Sequence, residues 1–383
     1  MAMGTPRKVD NRFSTCRQFT EMQQTQHLQS IRYLVADEEV LDTPVSRKVR
    51  EALPHASLKV RRQGESAPES GSSGEILYLK NYQGRFLRFC PGTSRYHCCG
   101  YRIVHIGESC PLFCRYCILQ AYFQDNMLKV WANQSDLWQE LDRELGSWPH
   151  RRFRLGTGEF TDSLALEPLT GYSKDLIQFL SRHPHCCLEL KTKTDILSWM
   201  EGVQHPDRVL PAWSLNSPEV VAQEERGTAS LEERLAAARE CARSGFRVCL
   251  HFDPVIPYPD WQNGYDTAVD MIFDYLKPRD IAYMSLGSFR CMPELIRHIS
   301  TQWPDCRFIY QEYITGLDGK LRLLRPLRVQ QLRRIASRLR SHGMDKQIYL
   351  CMESEPVWRD VLGYTPSELG GLAEHLLHLA FQD

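Results

Sequence analysis

Six short apolar runs spaced along the middle of the chain constrain its fold more than any other feature. They are Tyr101 to Ile106, Arg152 to Leu155, Cys187 to Leu190, Val209 to Leu215, Val248 to Phe252 and Ile281 to Leu286. The segments between them carry helical spacing, as in Leu231, Leu235 and Ala238, where Ser230 offers an N-cap and Gly245 lies past the end. Repeated strand and helix signals lead to a parallel sheet with crossover helices. The expected fold is therefore α/β, a partial (β/α)6 parallel barrel over residues 101–305, with ligands at the C-terminal ends of its strands.

The flanks differ from this core. Arg32 to Ala36, Val45 to Leu53 and Ser57 to Arg61 read as strand, helix and strand, a small N-terminal α/β unit within residues 1–100. Residues 63–74, rich in Gly, Ser and Glu, read as a flexible linker, with order returning at Ile76. Residues 306–383 form a C-terminal extension of hairpin plus helices. There Arg307 to Tyr310 and Leu321 to Leu324 flank Asp318-Gly319, a hairpin signal. A helix over about Val329 to Ser341, an apolar run at Ile348 to Cys351 and a terminal helix after Pro366 complete it.

Composition narrows the setting. Lysine plus arginine equals aspartate plus glutamate at 47 each, so any basic surface is local. The start lacks a signal peptide's apolar core and no run is long enough to span a bilayer, so the expectation is a cytoplasmic protein with no membrane partner. Fourteen cysteines without an export signal are expected to be reduced thiols.

Three of those cysteines carry the chemistry. Cys110, Cys114 and Cys117 follow the first apolar run in a C-x3-C-x2-C loop, which brings three thiolates together from one short segment. An iron-sulfur cube normally takes four cysteines, so three leave one iron open. An open position marks a reactive metal site rather than a closed structural one. The alternative is a structural zinc with Cys98, Cys99 or His105 as fourth ligand, although zinc sites usually pair C-x2-C with a second distant pair.

This loop, with Tyr116 before its last cysteine, resembles that of the radical S-adenosylmethionine superfamily. More narrowly, Cys114 to Gln120, Thr161 to Thr170, Leu190 to Asp195, Trp213 to Asn216 and Tyr349 to Glu353 resemble the spore photoproduct lyase family over nearly the whole chain. The resemblance implies a [4Fe-4S] cluster whose open iron binds S-adenosylmethionine, and an electron donor such as flavodoxin or ferredoxin. It also implies a 5'-deoxyadenosyl radical that abstracts a substrate hydrogen. Glu159, in Gly156-Thr-Gly-Glu159, is the expected partner of the methionyl ammonium and Lys193 of its carboxylate, with Ser214, Asn216, Thr161 and Asp162 as further cofactor contacts. Taken singly, each also has an ordinary structural reading as turn, solvated charge or cap.

Tyr116, His251 and Asp253 are the candidate catalytic residues, the last two because strand-end polar residues in a barrel face the substrate. Two departures stand out. Where the lyase family carries a cysteine that returns a hydrogen atom to the product, this chain has Glu159, and the family's tyrosine after the third cysteine is Ile118. Cys187, Cys249, Cys291 and Cys351 are the candidate replacements from other strands.

Between Lys320 and Lys346 there are nine basic residues and one acid. Lys320, Arg322, Arg325 and Arg328 are accordingly the expected docking surface for nucleic acid, with the hairpin as its start. Three functions compete: hydrogen abstraction from a damaged DNA base; the same chemistry on a small molecule, peptide or RNA; and a non-catalytic metal-binding module that recognises nucleic acid.

Overall fold

The computed structural model of the chain describes residues 28–66, 74–92, 95–123, 125 and 127–382. Most of the linker expected at 63–74 lies outside the described residues. The first half contains strands β1 (Tyr33–Asp37), β2 (Ser57–Arg61), β3 (Ile76–Lys80), β4 (Leu87–Phe89), β5 (Arg102–Val104), β6 (Gly107–Glu108), β7 (Leu128–Trp131), β8 (Phe153–Gly156) and β9 (Cys186–Thr192). The second contains β10 (Val209–Ser214), β11 (Val248–Val255), β12 (Ile281–Ser288), β13 (Arg290–Cys291), β14 (Tyr313–Thr315), β15 (Leu321–Leu323) and β16 (Ile348–Leu350).

All six apolar runs become strands of one sheet, in the order β16-β12-β11-β10-β9-β8-β5-β4. Its neighbours are parallel except β4 against β5. Strands β10 and β12 are buried along their whole length, as parallel strands with covered faces must be. The sequence reading places Ile348–Cys351 outside the barrel. Instead β16 pairs with β12 and extends the barrel sheet.

A second sheet, β2-β1-β3-β7-β6, is built on the N-terminal unit, but β6 and β7 reach it from beyond residue 100. The first apolar run supplies Arg102–Val104 to the barrel, and Gly107–Glu108, just past its end, pairs antiparallel with β7. The cysteine loop thus leaves from the crossing between two sheets. The third sheet, β13-β15-β14, holds the hairpin. Its first strand is Tyr313–Thr315, not Arg307 to Tyr310, which contains a turn of 3-10 helix.

Local signals account for several ends. Ser230 caps the helix Leu231–Arg243 through a full capping box with Glu233, satisfying two otherwise orphaned amide groups. Side-chain alternation in the strands does the rest. On β9, Leu188 and Leu190 enter the core while Glu189 and Lys191 face a cavity at the sheet's C-terminal end. On β11, Leu250 and Phe252 are core, and His251 and Asp253 line the same cavity.

Candidate active site

The cavity encloses about 710 Å³, and Cys110, Cys114 and Cys117 all open on it. Hydrogen bonds hold the loop that carries them. The Arg115 amide donates to the Glu224 carbonyl at 2.8 Å, and the Gly227 amide donates to Leu112 at 3.1 Å. Gly227 admits this approach because a Cβ there would lie 2.9 Å from the Leu112 carbonyl oxygen. The Gln120 amide group donates to the carbonyls of Cys114, Arg115 and Cys117, covering the loop's inner acceptors. Ser109 and Phe113 adopt left-handed backbone conformations, at φ 68° and 47°. Non-glycine residues held so cost about 1–3 kcal/mol each and cluster at functional sites.

Burial pushes all three thiols up, Cys110 further because of Asp162, whereas Lys193 favours the thiolates of Cys114 and Cys117. An iron takes a proton from each thiol it binds, and the nearby ammonium offsets part of that cost. Among the described residues no three His, Cys, Asp or Glu side chains already converge as a ligand set. The three thiols line the cavity instead, each from the same short loop. That donor set fits an iron-sulfur cluster.

Behind the loop lies a closed polar network. Tyr116 donates its hydroxyl to Glu225, and Asn216 donates to Glu225 at 3.0 Å and to Tyr116 at 3.2 Å. Tyr265 donates to Asn216 at 2.6 Å, while Arg234 pairs with Glu225 at 2.5 Å. Burial pushes the Glu225 carboxyl up, but Arg234, Lys193 and the hydrogen bonds hold it below its ordinary range. Asn216 is 1% exposed and spent on this network, so it positions Tyr116 rather than contacting a cofactor.

Asp162 lines the cavity too, and its carboxylate accepts from the amides of Leu164, Ala165 and Lys193 and from the Thr192 hydroxyl, so it ties a turn to the end of β9. Thr161, Lys193 and Ser214 do line the cavity beside the cysteines. Glu159 lines it too, but pairs with Lys191 at 2.8 Å, a lysine that the sequence reading passed over for Lys193. The glycines of Gly156-Thr-Gly serve this packing: a Cβ at Gly158 would lie 2.8 Å from that of Lys191, and one at Gly156 would strike the Tyr101 hydroxyl.

Arg154, Glu189, His251 and Ser285 line the cavity from β8, β9, β11 and β12, and of these the sequence reading singled out His251 alone. His251 stands 2.7 Å from the Ser285 hydroxyl and 3.3 Å from Glu189, which also accepts from Tyr283. Burial pushes Glu189 up, yet His251, Arg154 and Lys191 hold it down at about 2. Asp253 pairs with Arg290 at 2.9 Å, and Arg290 also reaches the Cys351 sulfur at 3.3 Å. The one available signal was a charge in each apolar strand, Arg154 and Glu189.

The basic docking surface is not what its composition implies. Arg322 is 2% exposed, pairs with Asp318 at 2.7 Å and donates to the Met352 carbonyl at 3.0 Å. Arg328 is buried against Glu353 at 2.7 Å, and Arg325 pairs with Asp360 at 2.6 Å. Along the following helix Arg334 and Arg338 are neutralised by Asp266 and Asp270. Of the four hairpin candidates Lys320 lines the cavity, where burial and the neighbouring Arg290 push its ammonium down. We expect Arg322→Ala to lower stability by about 3–5 kcal/mol, the cost of leaving a buried charge unpaired. A denaturant midpoint unchanged from the parent would contradict this.

Residues 94–325 match the family model described as spore photoproduct lyase. The chain is 21% identical over 264 residues to spore photoproduct lyase of Clostridium acetobutylicum, covering 66% of this chain and 76% of that one. It is 24% identical over 211 residues to the Geobacillus sp. enzyme of the same name, covering 55% and 60%. Among solved structures, spore photoproduct lyase complexed with dinucleoside spore photoproduct shares its fold at TM-score 0.71 and 18% identity, over 84% of this chain and 98% of that one. A substituted form with bound AdoMet and the same dinucleoside has TM-score 0.70 and 19% identity. Among the described residues no helix is long and apolar enough to cross a membrane. The chain belongs to the spore photoproduct lyase family, enzymes of the radical S-adenosylmethionine lyase type that use a [4Fe-4S] cluster and S-adenosylmethionine.

Proposed function

We propose that this enzyme abstracts a hydrogen atom from a damaged base of DNA held in the cavity, as a cytoplasmic repair lyase served by a flavodoxin or ferredoxin. One observation carries the reading: the three thiols, the Lys191 and Glu159 pair and a cavity of about 710 Å³ share one end of the sheet. That volume lies in the range of about 300–1,000 Å³ that takes drug-sized ligands. The cluster and S-adenosylmethionine supply a 5'-deoxyadenosyl radical when bound. Cys110, Cys114 and Cys117 would hold the cluster, and Glu159, Lys191, Lys193, Thr161 and Ser214, which line the same cavity, would bind the methionyl group and ribose.

Hydrogen return is assigned to Cys351. Of the four replacement thiols, Cys187, Cys249 and Cys291 do not line the cavity, whereas Cys351 does, with Cys99 beside the same space. Arg290 orients its sulfur, and the next residue, Met352, holds a left-handed backbone at φ 56°. The S–H bond of Cys351 breaks homolytically and a C–H bond forms on the product radical; the thiyl left on Cys351 takes a hydrogen atom from a small-molecule thiol, and two of the resulting small thiyl radicals couple to a disulfide. The second reading, a small-molecule, peptide or RNA substrate, is favoured by Glu159, a carboxylate engaged with Lys191 where the family carries its thiol.

The deciding experiment is anaerobic reconstitution with dithionite and S-adenosylmethionine. Formation of 5'-deoxyadenosine that rises with lesion-bearing DNA supports repair. Equal formation with undamaged DNA and with none would refute it, and deuterium transfer from other substrates would then identify the second reading.

A further inference from the structure

The hairpin end of the cavity holds more positive charge than its acids cover. In the ladder of β13 and β15, Arg290 stands opposite Arg322 and Cys291 opposite Leu321, which brings Lys320 to the next step, beside both arginines. Each arginine has its own carboxylate. Arg290 pairs with Asp253 at 2.9 Å and Arg322 with Asp318 at 2.7 Å, while Glu353 is taken by Arg328 at 2.7 Å. Lys320 is left over: its ammonium has no ion pair or hydrogen bond among the described residues. The residue is half-buried and lines the cavity, and its ammonium remains accessible.

An ammonium beside two guanidinium groups without a counter-ion is unfavourable, because like charges repel more strongly where water is partly excluded. An anion entering the cavity removes that cost. The charge to be met is one. The phosphodiester that joins two nucleotides carries one, whereas a terminal phosphate carries nearly two. Position matters as much as charge. Arg290 also donates to the Cys351 sulfur at 3.3 Å, so an anion beside Lys320 and Arg290 lies next to the thiol assigned to hydrogen return. The lesion held by the solved relative is a dinucleoside, which in a strand has one phosphate between its two halves.

We infer that Lys320 binds the phosphodiester linking the two nucleosides of the lesion and so sets the damaged pair against Cys351. The inference rests on the nucleic-acid reading above and names the substrate group that the cavity itself recognises. One lysine inside the cavity then does what the paired arginines along the following helix do not.

The test measures binding of the reconstituted full chain to a short labelled strand with a central spore photoproduct. In a second strand a methylphosphonate neutralises the phosphate within the lesion, and in a third it neutralises one at the strand end. The parent is expected to bind the fully charged strand about tenfold more tightly than the strand neutral within the lesion. Lys320→Met keeps the apolar stem and has no side-chain bond to lose. It should bind the charged strand about tenfold more weakly than the parent and the lesion-neutral strand equally well, so that the difference disappears. Lys320→Arg should retain the difference, and the end substitution should affect parent and variant alike. Equal binding of the charged and lesion-neutral strands by the parent, or the parental ratio persisting in Lys320→Met, overturns this inference alone. Equal loss by Lys320→Met on both strands does the same. Failure of the parent to bind any lesion strand at low salt overturns it together with the nucleic-acid function.

Discussion

Cys114→Ala is expected to yield a folded protein that carries no [4Fe-4S] cluster after anaerobic reconstitution and forms no 5'-deoxyadenosine from S-adenosylmethionine. Cys114 is 7% exposed and belongs to a cluster that includes Tyr116, Val220 and Ile256. Truncation to alanine removes one atom from that contact, and the loop remains tied through the Arg115 amide and Gln120. The loss is therefore one of ligation rather than of fold. Iron and sulfide content, the visible absorption of the cluster and thermal stability separate the two. A variant with full iron content and parental cleavage would remove Cys114 from the ligand set. Zinc in place of iron in the parent protein would undo the assignment of the whole loop.

The second large effect concerns Cys351→Ala. S-adenosylmethionine cleavage and the first hydrogen abstraction are expected to persist, because Cys351 is outside the cysteine loop, on the segment after β16. Repaired product should fall at least tenfold, a loss equivalent to about 1.4 kcal/mol of barrier, with side products of the unquenched radical in its place. Hydrogen from solvent-exchanged thiols should appear in the parent's product and vanish from the variant's. Cys99→Ala serves as the comparison, since that thiol lines the same cavity without the Arg290 contact. Equal product yield from Cys351→Ala and the parent would return the hydrogen-donor role to another group.

Much of this site was legible before any fold was known. The cysteine spacing is local, confined to eight residues from Cys110 to Cys117, so tertiary structure has little to add to it. The barrel strands were legible because parallel strands covered on both faces read as apolar runs. Cys351 appeared among the candidates but could not be chosen, because its distance from the loop depends on β16 joining β12.

Charge was read less well, for a physical reason. Composition counts charges along the chain, whereas exposure depends on partners brought from elsewhere. Nine basic residues over a short segment look like a surface. Asp266, Asp270, Glu353 and Asp360 reach four of them only in the folded molecule and neutralise them, Arg328 in a buried pair and the other three at the surface. The same holds for Glu159, whose partner Lys191 lies 32 residues away. Lys191 and Lys193 are both on the cavity side of the strand by alternation.

The sequence alone determined the cofactor loop, the six-stranded parallel core and the family, because each depends on short spacings and local periodicity. Tertiary structure decided which charges are spent, which of the candidate thiols lines the cavity and that Asn216 and Asp162 hold their neighbours in place. Those outcomes depend on contacts between distant segments, and the energy of a buried polar group is set by whichever partner the fold brings within hydrogen-bond reach.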